Sequence, residues 1–320
     1  MRANPETSAG VTLDPNERVH QASRIDEARL LVEISINFRQ NGWPLKAKRF
    51  AARALAIFER ECGVYHPDVV RALLCLAGAR EDLADYARAG ADYRRAKDIL
   101  DLKDDPDNLE VQRLRIQTIR GLANVIRALG RDGQAETMLK EALAIAEQTF
   151  GGKHGDVPIA ERAFGRKQSD VASALNDLAV HYRHTGEYEK ASPLFHRALA
   201  IAEQALGSDD AQTGAILHQL GILEHARGQF AAGELFARRS AVIRLKTVGP
   251  DHPQLAAGFA VIGALLEEQG KHQDAASMYR RALVILERWF GPDHPEVVST
   301  ANRLARILGR MRPAPVARAS

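Results

Sequence analysis

HTGEYEKASPLFHRALAIAEQALG, residues 184–207, runs from a turn glycine into a helix that carries Ala191, Phe195 and Ala198 on one side. Spacings of three and four put those residues on a single helical stripe. The same plan returns in ARGQFAAGELFARRSAVIRLKTVG (226–249) and in EQGKHQDAASMYRRALVILERWFG (268–291), so Gly186, Gly228 and Gly270 stand 42 residues apart. Towards the N-terminus, ALGRDGQAETMLKEALAIAEQTFG (128–151) places Gly130 56 residues before Gly186, one period plus a 14-residue insertion. Ala84 takes the glycine's place in DLADYARAGADYRRAKDIL (82–100), and Gly42 holds it in RQNGWPLKAKRFAARALAIFERECG (39–63). The heptapeptide ALAIAEQ occurs verbatim at 142–148 and 198–204. Six units are readable, and a fixed period of this size is the mark of a stacked repeat array.

Each unit has one grammar. A first helix of about 14 residues leads to the glycine, which can adopt the positive φ that ends a helix, and a second helix follows. Five places beyond the glycine stands a small residue: Ala135, Ala191, Gly233 or Ala275. Four further comes a large one in three units, Leu139, Phe195 and Tyr279; the fifth unit has Ala237 there, with Phe236 one place before. Three further still the residue is small again: Ala142, Ala198, Ser240 or Ala282. Small residues let two antiparallel helices approach, and large ones fill the space alongside. GPDHP, at 249–253 and 291–295, and the looser YHPDV at 65–69 read as helix-start signals between units. Asp251 and Asp293 are expected to accept the free N–H groups, with Pro253 and Pro295 in the first turn and the histidines as loop chemistry.

The stretches DVASALNDLAVHYRHTGEYEKASPLFHRALAIAEQALG (170–207) and HPQLAAGFAVIGALLEEQGKHQDAASMYRRALVILERWFGPDHPEV (252–297) resemble the tetratricopeptide repeat in its 42-residue form, as in kinesin light chain and bacterial relatives. The resemblance covers roughly residues 25–310. It implies an all-α, right-handed superhelical solenoid of about six helix-turn-helix repeats, whose first helices line a concave groove, with PEVVSTANRLARILGR (295–310) as the C-terminal capping helix. Three places depart from the pattern: Ala84 for the turn glycine, and Arg80 and Glu224 for an aromatic or aliphatic residue late in the first helix. The array is expected over 23–310, with flexible tails at 1–22 and 311–320. The insertion at 151–168 reads either as a binding loop or as a tolerated surface loop, with Phe164 tucked inward.

Composition narrows the function. Net charge is +3 with 27% charged residues, too mild to argue for nucleic acid. No apolar run is long enough to span a membrane, and the polar N-terminal stretch is no secretory leader, so a cytoplasmic location is expected. Cys62 and Cys75 form no CxxC pair. No phosphate-binding loop, zinc-protease helix or nucleophile elbow is present. His181 and His184 could make half a metal site but read as a structural pair, and Glu267 and Glu268 as surface charges. The expectation is therefore no catalytic residues, no cofactor and no metal.

What remains is the groove. Its central units offer Arg120, Asn124 and Arg127 from the third, Asn176, Arg183 and His184 from the fourth, and His218, Gln219 and His225 from the fifth; Asp177 alone interrupts them with a negative charge. The sixth offers Ala257, Ala260, Val261, Ala264 and Glu267. Arginine forks bind carboxylates, and amide side chains hold peptide backbone. The expected partner is a protein or peptide of acidic character, without nucleic acid or membrane, held by a scaffold or adaptor. A regulatory sensor for a small acidic ligand or signalling peptide is the alternative, and an accessory subunit docking through the convex face is a third. Arg120 and Asn124 match the start of the carboxylate clamp that some members of the family carry, but Asp177, Ala215 and Gln219 stand where it should continue, so the clamp is incomplete.

Overall fold

The computed structural model describes residues 15–102, 105–150 and 161–311. They hold thirteen helices: α1 (Pro15–Gln40), α2 (Pro44–Cys62), α3 (Pro67–Asp82), α4 (Tyr86–Asp101), α5 (Leu109–Ala128), α6 (Asp132–Phe150), α7 (Glu161–His184), α8 (Tyr188–Leu206), α9 (Ala211–Ala226), α10 (Phe230–Thr247), α11 (Pro253–Glu268), α12 (His272–Phe290) and α13 (Pro295–Met311). These are six antiparallel pairs and a final helix, as the period implies. None among the described residues is long and apolar enough to cross a membrane. Helix α1 begins at Pro15, so residues 15–22, read as part of a tail, are helical; proline suits a first turn, where no N–H is required. Helix α7 likewise takes up 161–168 of the insertion. Residues 1–14, 151–160 and 312–320, and the side chain of Phe164, lie outside the described residues.

By its contacts the chain divides into two compact units, Met1–Asp105 and Pro106–Ser320. The first holds α1–α4, two repeats. The second holds α5–α13, four repeats and the cap. Within the second unit, each second helix packs on the first helix of the next repeat: α6 on α7, α8 on α9, α10 on α11 and α12 on α13. First helices of neighbouring repeats also touch, α5 with α7, α7 with α9 and α9 with α11, which makes the first-helix layer the tighter, inner face.

The helix pairs close as the small-large-small grammar requires. Ala135, Ala191, Ala275, Ala142, Ala198, Ser240 and Ala282 are fully buried, as are Phe195 and Tyr279. In the fifth repeat the two backbones approach closely: a Cβ added to Gly221 of α9 would meet the Gly233 carbonyl oxygen of α10 at 3.3 Å, and one added to Gly233 would meet Leu265 of the next repeat at 2.7 Å. The two departures late in the first helix are ion pairs. Glu224 is buried with Arg227 at 3.0 Å, and Arg80 reaches Asp92 of α4.

Two expectations about loops change. Histidines, and not Asp251 and Asp293, cap α11 and α13: Nδ1 of His252 accepts from the Gln254 N–H at 3.2 Å and Nδ1 of His294 from the Glu296 N–H at 3.3 Å, and His66 does the same for Asp68 of α3 at 3.2 Å. Proline at the next position leaves the first N–H group that needs an acceptor two residues beyond the histidine, which is where its ring nitrogen reaches. Asp251 pairs instead with Arg288. Glu267, read as a surface charge, is buried; Arg306 and Arg310 of α13 bind it at 2.8 and 3.3 Å and Tyr279 donates to it at 3.3 Å, fastening the cap. Glu268 is exposed.

The turn between paired helices is left-handed throughout. Gly42, Gly130, Gly186, Gly228 and Gly270 have φ of 73, 75, 79, 74 and 74°, and Ala84 is forced to 56° in the same place. A left-handed alanine costs roughly 1–2 kcal/mol, partly offset in a glycine variant by the extra freedom of the unfolded chain. Ala84→Gly should therefore stabilise the protein by about 0.5–1 kcal/mol in urea denaturation, while Gly228→Ala should destabilise it by about 1 kcal/mol. At the caps, His252→Ala should cost about 1 kcal/mol and His252→Asn should retain most of the stability, because asparagine supplies the same acceptor. Equal losses in both variants would remove capping as the explanation.

Candidate binding groove

The inner face of the second unit is built from α5, α7, α9, α11 and α13, and it changes character along its length. At the α5–α7 end it is polar. A ladder of arginines on α5, at steps of seven residues, faces one of acids on α7. Arg113 bonds Asp170 at 2.8 Å, and Arg120 bonds Asp177 at 2.6 Å. Burial pushes the Asp170 carboxyl upward, opposed by the hydrogen bond from Arg113. The sequence offered Arg120 as a partner-binding residue and Asp177 as an interruption; in the structure each satisfies the other, and the Asn176 amide also donates to Asp177 at 3.3 Å.

One step on, the ladder changes. Arg127 donates to the Asn124 side-chain Oδ1 at 3.3 Å, and Arg183 contacts His184 at 3.1 Å. Neither has a carboxylate partner among the described residues. The Arg183 guanidinium is held below its usual range by burial and then by Arg127, and His184 is lowered by burial and by both arginines. Arg127, Arg183 and His184 thus lie close together. His181 points elsewhere: it is buried while His184 is exposed, which separates the two histidines chemically. No group of three or more metal-ligating side chains occurs among the described residues.

Towards the other end the groove is apolar. A cavity of about 530 Å³ lies between α9, α11 and α13. Helix α11 contributes Ala257, Ala260, Val261 and Ala264; methyl side chains at three of those four positions leave the space. Helix α9 contributes His218, Ile222 and His225, and α13 contributes Ser299, Thr300 and Arg303. His225 also packs edge-on against Phe230, with ring centroids 5.7 Å apart. His218 and His225 of α9 and the four α11 residues here are among those the groove register names in the sequence. The contribution of α13 is not, because a cap read as a solvating helix carries no expectation that it walls a cavity.

His218 joins the two ends. It lines the cavity, and its imidazole is lowered to about 3 by burial first and then by Arg244 and Arg183. Arg244 is itself lowered to about 10 by burial, and it donates to the Gln254 carbonyl oxygen at 2.7 Å. Arg244 sits on a second helix, so a reading restricted to first helices missed it. Gln219 is half-buried beside His218.

Comparison with known proteins agrees with this architecture. One family model described as Tetratricopeptide repeat matches residues 170–241 and 257–315, and a second such model matches 115–156. No curated protein matches the chain. Among solved structures, BtubC (BKLC) from P. vanneervenii is similar with a TM-score of 0.53 at 20% identity, covering 94% of this chain and 96% of that one. The apo form of RapI gives 0.55 at 15% identity, covering 88% and 85%. A Rap protein complexed with Competence and Sporulation Factor gives 0.50 at 16% identity, covering 90% and 65%. At these identities the likeness is one of fold.

The His218 shift carries a pH dependence. In the fold the ring stays neutral down to about pH 3, whereas in the unfolded chain it binds a proton below about 6.5. The unfolded state is therefore favoured progressively as pH falls from about 6.5 towards 3, and no contribution arises above that window. His218→Gln should flatten the fall of the urea midpoint between pH 6.5 and 4. It should not abolish it, because His181 and His184 are lowered too. An unchanged slope would remove His218 from the account.

Proposed function

The chain belongs to the tetratricopeptide repeat family, and from that premise we propose that it is a non-catalytic interaction scaffold whose second unit holds a peptide or helix along the α5–α13 face. The observation that carries this reading is the joining, at His218, of a cationic stretch and an apolar cavity on one continuous face. A peptide laid across it would place acidic groups against α5 and α7 and apolar side chains against α9, α11 and α13. Groups facing the occupant are Asn124, Arg127, Asn176, Arg183, His184, His218, Gln219 and His225, with Arg120 acting through Asp177 to hold the α5–α7 wall. The fold suits such a role, since first helices shape the inner face while second helices carry the stacking.

A second reading, a regulatory sensor for a small acidic ligand or signalling peptide, draws on the volume of the open pocket between α9, α11 and α13, which falls within the range of small-molecule sites. One of the similar structures is of a Rap protein complexed with a factor, which is compatible with either reading.

The test is selection from a displayed library of random dodecapeptides, followed by affinity measurement on the enriched sequences. Arg183→Glu and Ala260→Arg, which reverse charge at one end and fill the cavity at the other, should each weaken binding at least tenfold. Val284→Asp, on the exposed outer side of α12, should leave it unchanged. Enriched peptides that tolerate both groove variants and are lost with Val284→Asp would move the function to the outer face.

A further inference from the structure

The arginine–aspartate ladder between α5 and α7 has a third step with no acid. On α5 the positions are Arg113, Arg120 and Arg127; on α7 the facing positions, again seven apart, are Asp170, Asp177 and His184. The first two steps are closed ion pairs at 2.8 and 2.6 Å. At the third, histidine stands where the period calls for aspartate, and Arg183 adds a second guanidinium beside it. In the first unit, too, inner-face arginines are matched to acids: Arg29 to Asp68 and Arg39 to Asp82. The acids near the third step are directed elsewhere. Glu136 is taken by Lys140 at 2.8 Å and by the Tyr182 hydroxyl at 2.9 Å, and Asp132 acts on the histidines and not on Arg183.

A second, independent observation falls on the same side chains. Five buried polar atoms on the inner face meet no protein partner: Arg127 Nη1, Arg183 Nε, Asn176 Oδ1, Gln219 Oε1 and His218 Nδ1. Leaving such an atom unmatched is costly, and native proteins keep few of them. Here they gather on three neighbouring helices, α5, α7 and α9. Two are cationic donors, two are side-chain amide oxygens that accept, and the fifth is an imidazole nitrogen.

We infer that the third step is an oxyanion-binding site. Arg127 and Arg183 donate to one carboxylate or phosphate group of the occupant, which takes the place of the missing aspartate. Asn176 and Gln219, one step back along the groove, accept N–H groups from the backbone of the chain that carries that anion. Paired guanidinium groups favour an oxyanion because each fork offers parallel N–H donors, and the half-buried setting weakens competition from water. The inference rests on the groove reading above and specifies it: the occupant is a peptide bearing at least one acidic group.

The experiment uses the full chain and four fluorescein-labelled degenerate dodecapeptide pools that differ only in one fixed central residue: aspartate, phosphoserine, asparagine or lysine. Binding is read by anisotropy. The aspartate or phosphoserine pool should bind at least tenfold more tightly than the asparagine pool, the stronger of the two identifying carboxylate or phosphate as the preferred anion. Arg183→Gln should erase that preference, and Arg238→Gln on the outer side of α10 should keep it. Equal binding of the aspartate, phosphoserine and asparagine pools overturns the anion site and leaves the groove standing; so does a preference that survives Arg183→Gln. Failure of every pool to bind overturns the groove and the anion site together. A separate readout needs no peptide. Two unmatched guanidinium groups repel, so Arg127→Gln or Arg183→Gln should raise the urea midpoint at low ionic strength, with the gain shrinking at high salt. A lowered midpoint would make these arginines structural and overturn the assignment.

Discussion

The close approach of two helices within each repeat is the condition on which the rest of this protein depends. It is set by a residue no larger than alanine five places beyond the turn, and by another three places beyond the large residue that follows. Where both are small, the second helix can lie against the first, and the side chain between them fills the gap; Phe195 and Tyr279 are wholly buried for this reason. The stripe is then continued by the next repeat's first helix, because one pair alone cannot cover its own apolar surface. Helix α13 ends the series by covering the last stripe, and its attachment runs through a buried carboxylate, Glu267, bound by two arginines from the cap. A charge in that position is costly to leave alone, so the cap and its anchor stand or fall together.

Much of the fold was readable in the chain because repetition turns weak local signals into one strong one. The period gave six helix pairs and a cap, and the register of each first helix named which side chains face inward. Two kinds of feature resisted that reading. One is competition between neighbours for the same role: in GPDHP both aspartate and histidine can cap a helix, and only the placement of the His252 ring against the Gln254 N–H settles it. The other is pairing across repeats. Arg120 and Asp177 lie 57 residues apart, on facing helices separated by an irregular insertion, and no local pattern in either helix announces that they neutralise each other. Glu267 is the same case, since its burial depends on arginines 39 and 43 residues downstream. Arg244 escaped for a third reason: a long side chain on a second helix reaches past the layer to which its backbone belongs.

Stacking is carried mainly by the small and large positions between helices, so inward side chains outside the cross-helix pairs of Arg113, Arg120 and Glu267 have little part in holding the array together. They can therefore be set by what the groove must hold. A groove face made only for solubility would pair its charges or leave them in water, as the ladder does at its first two steps. The third step does neither. It leaves two guanidinium groups half-buried without an acid, and His218 beside them is kept neutral by burial first and then by Arg244 and Arg183. Two like charges left half-buried without a counter-charge lower the stability of a fold. The alanine stripe of α11 follows the same logic in apolar form. Larger side chains at 257, 260 and 264 would bury more surface and add stability, yet the chain keeps a cavity there. Charge without a counter-ion and space without a side chain meet at one histidine, and both make sense together if the face is shaped for an occupant that brings the acid and the bulk the fold omits.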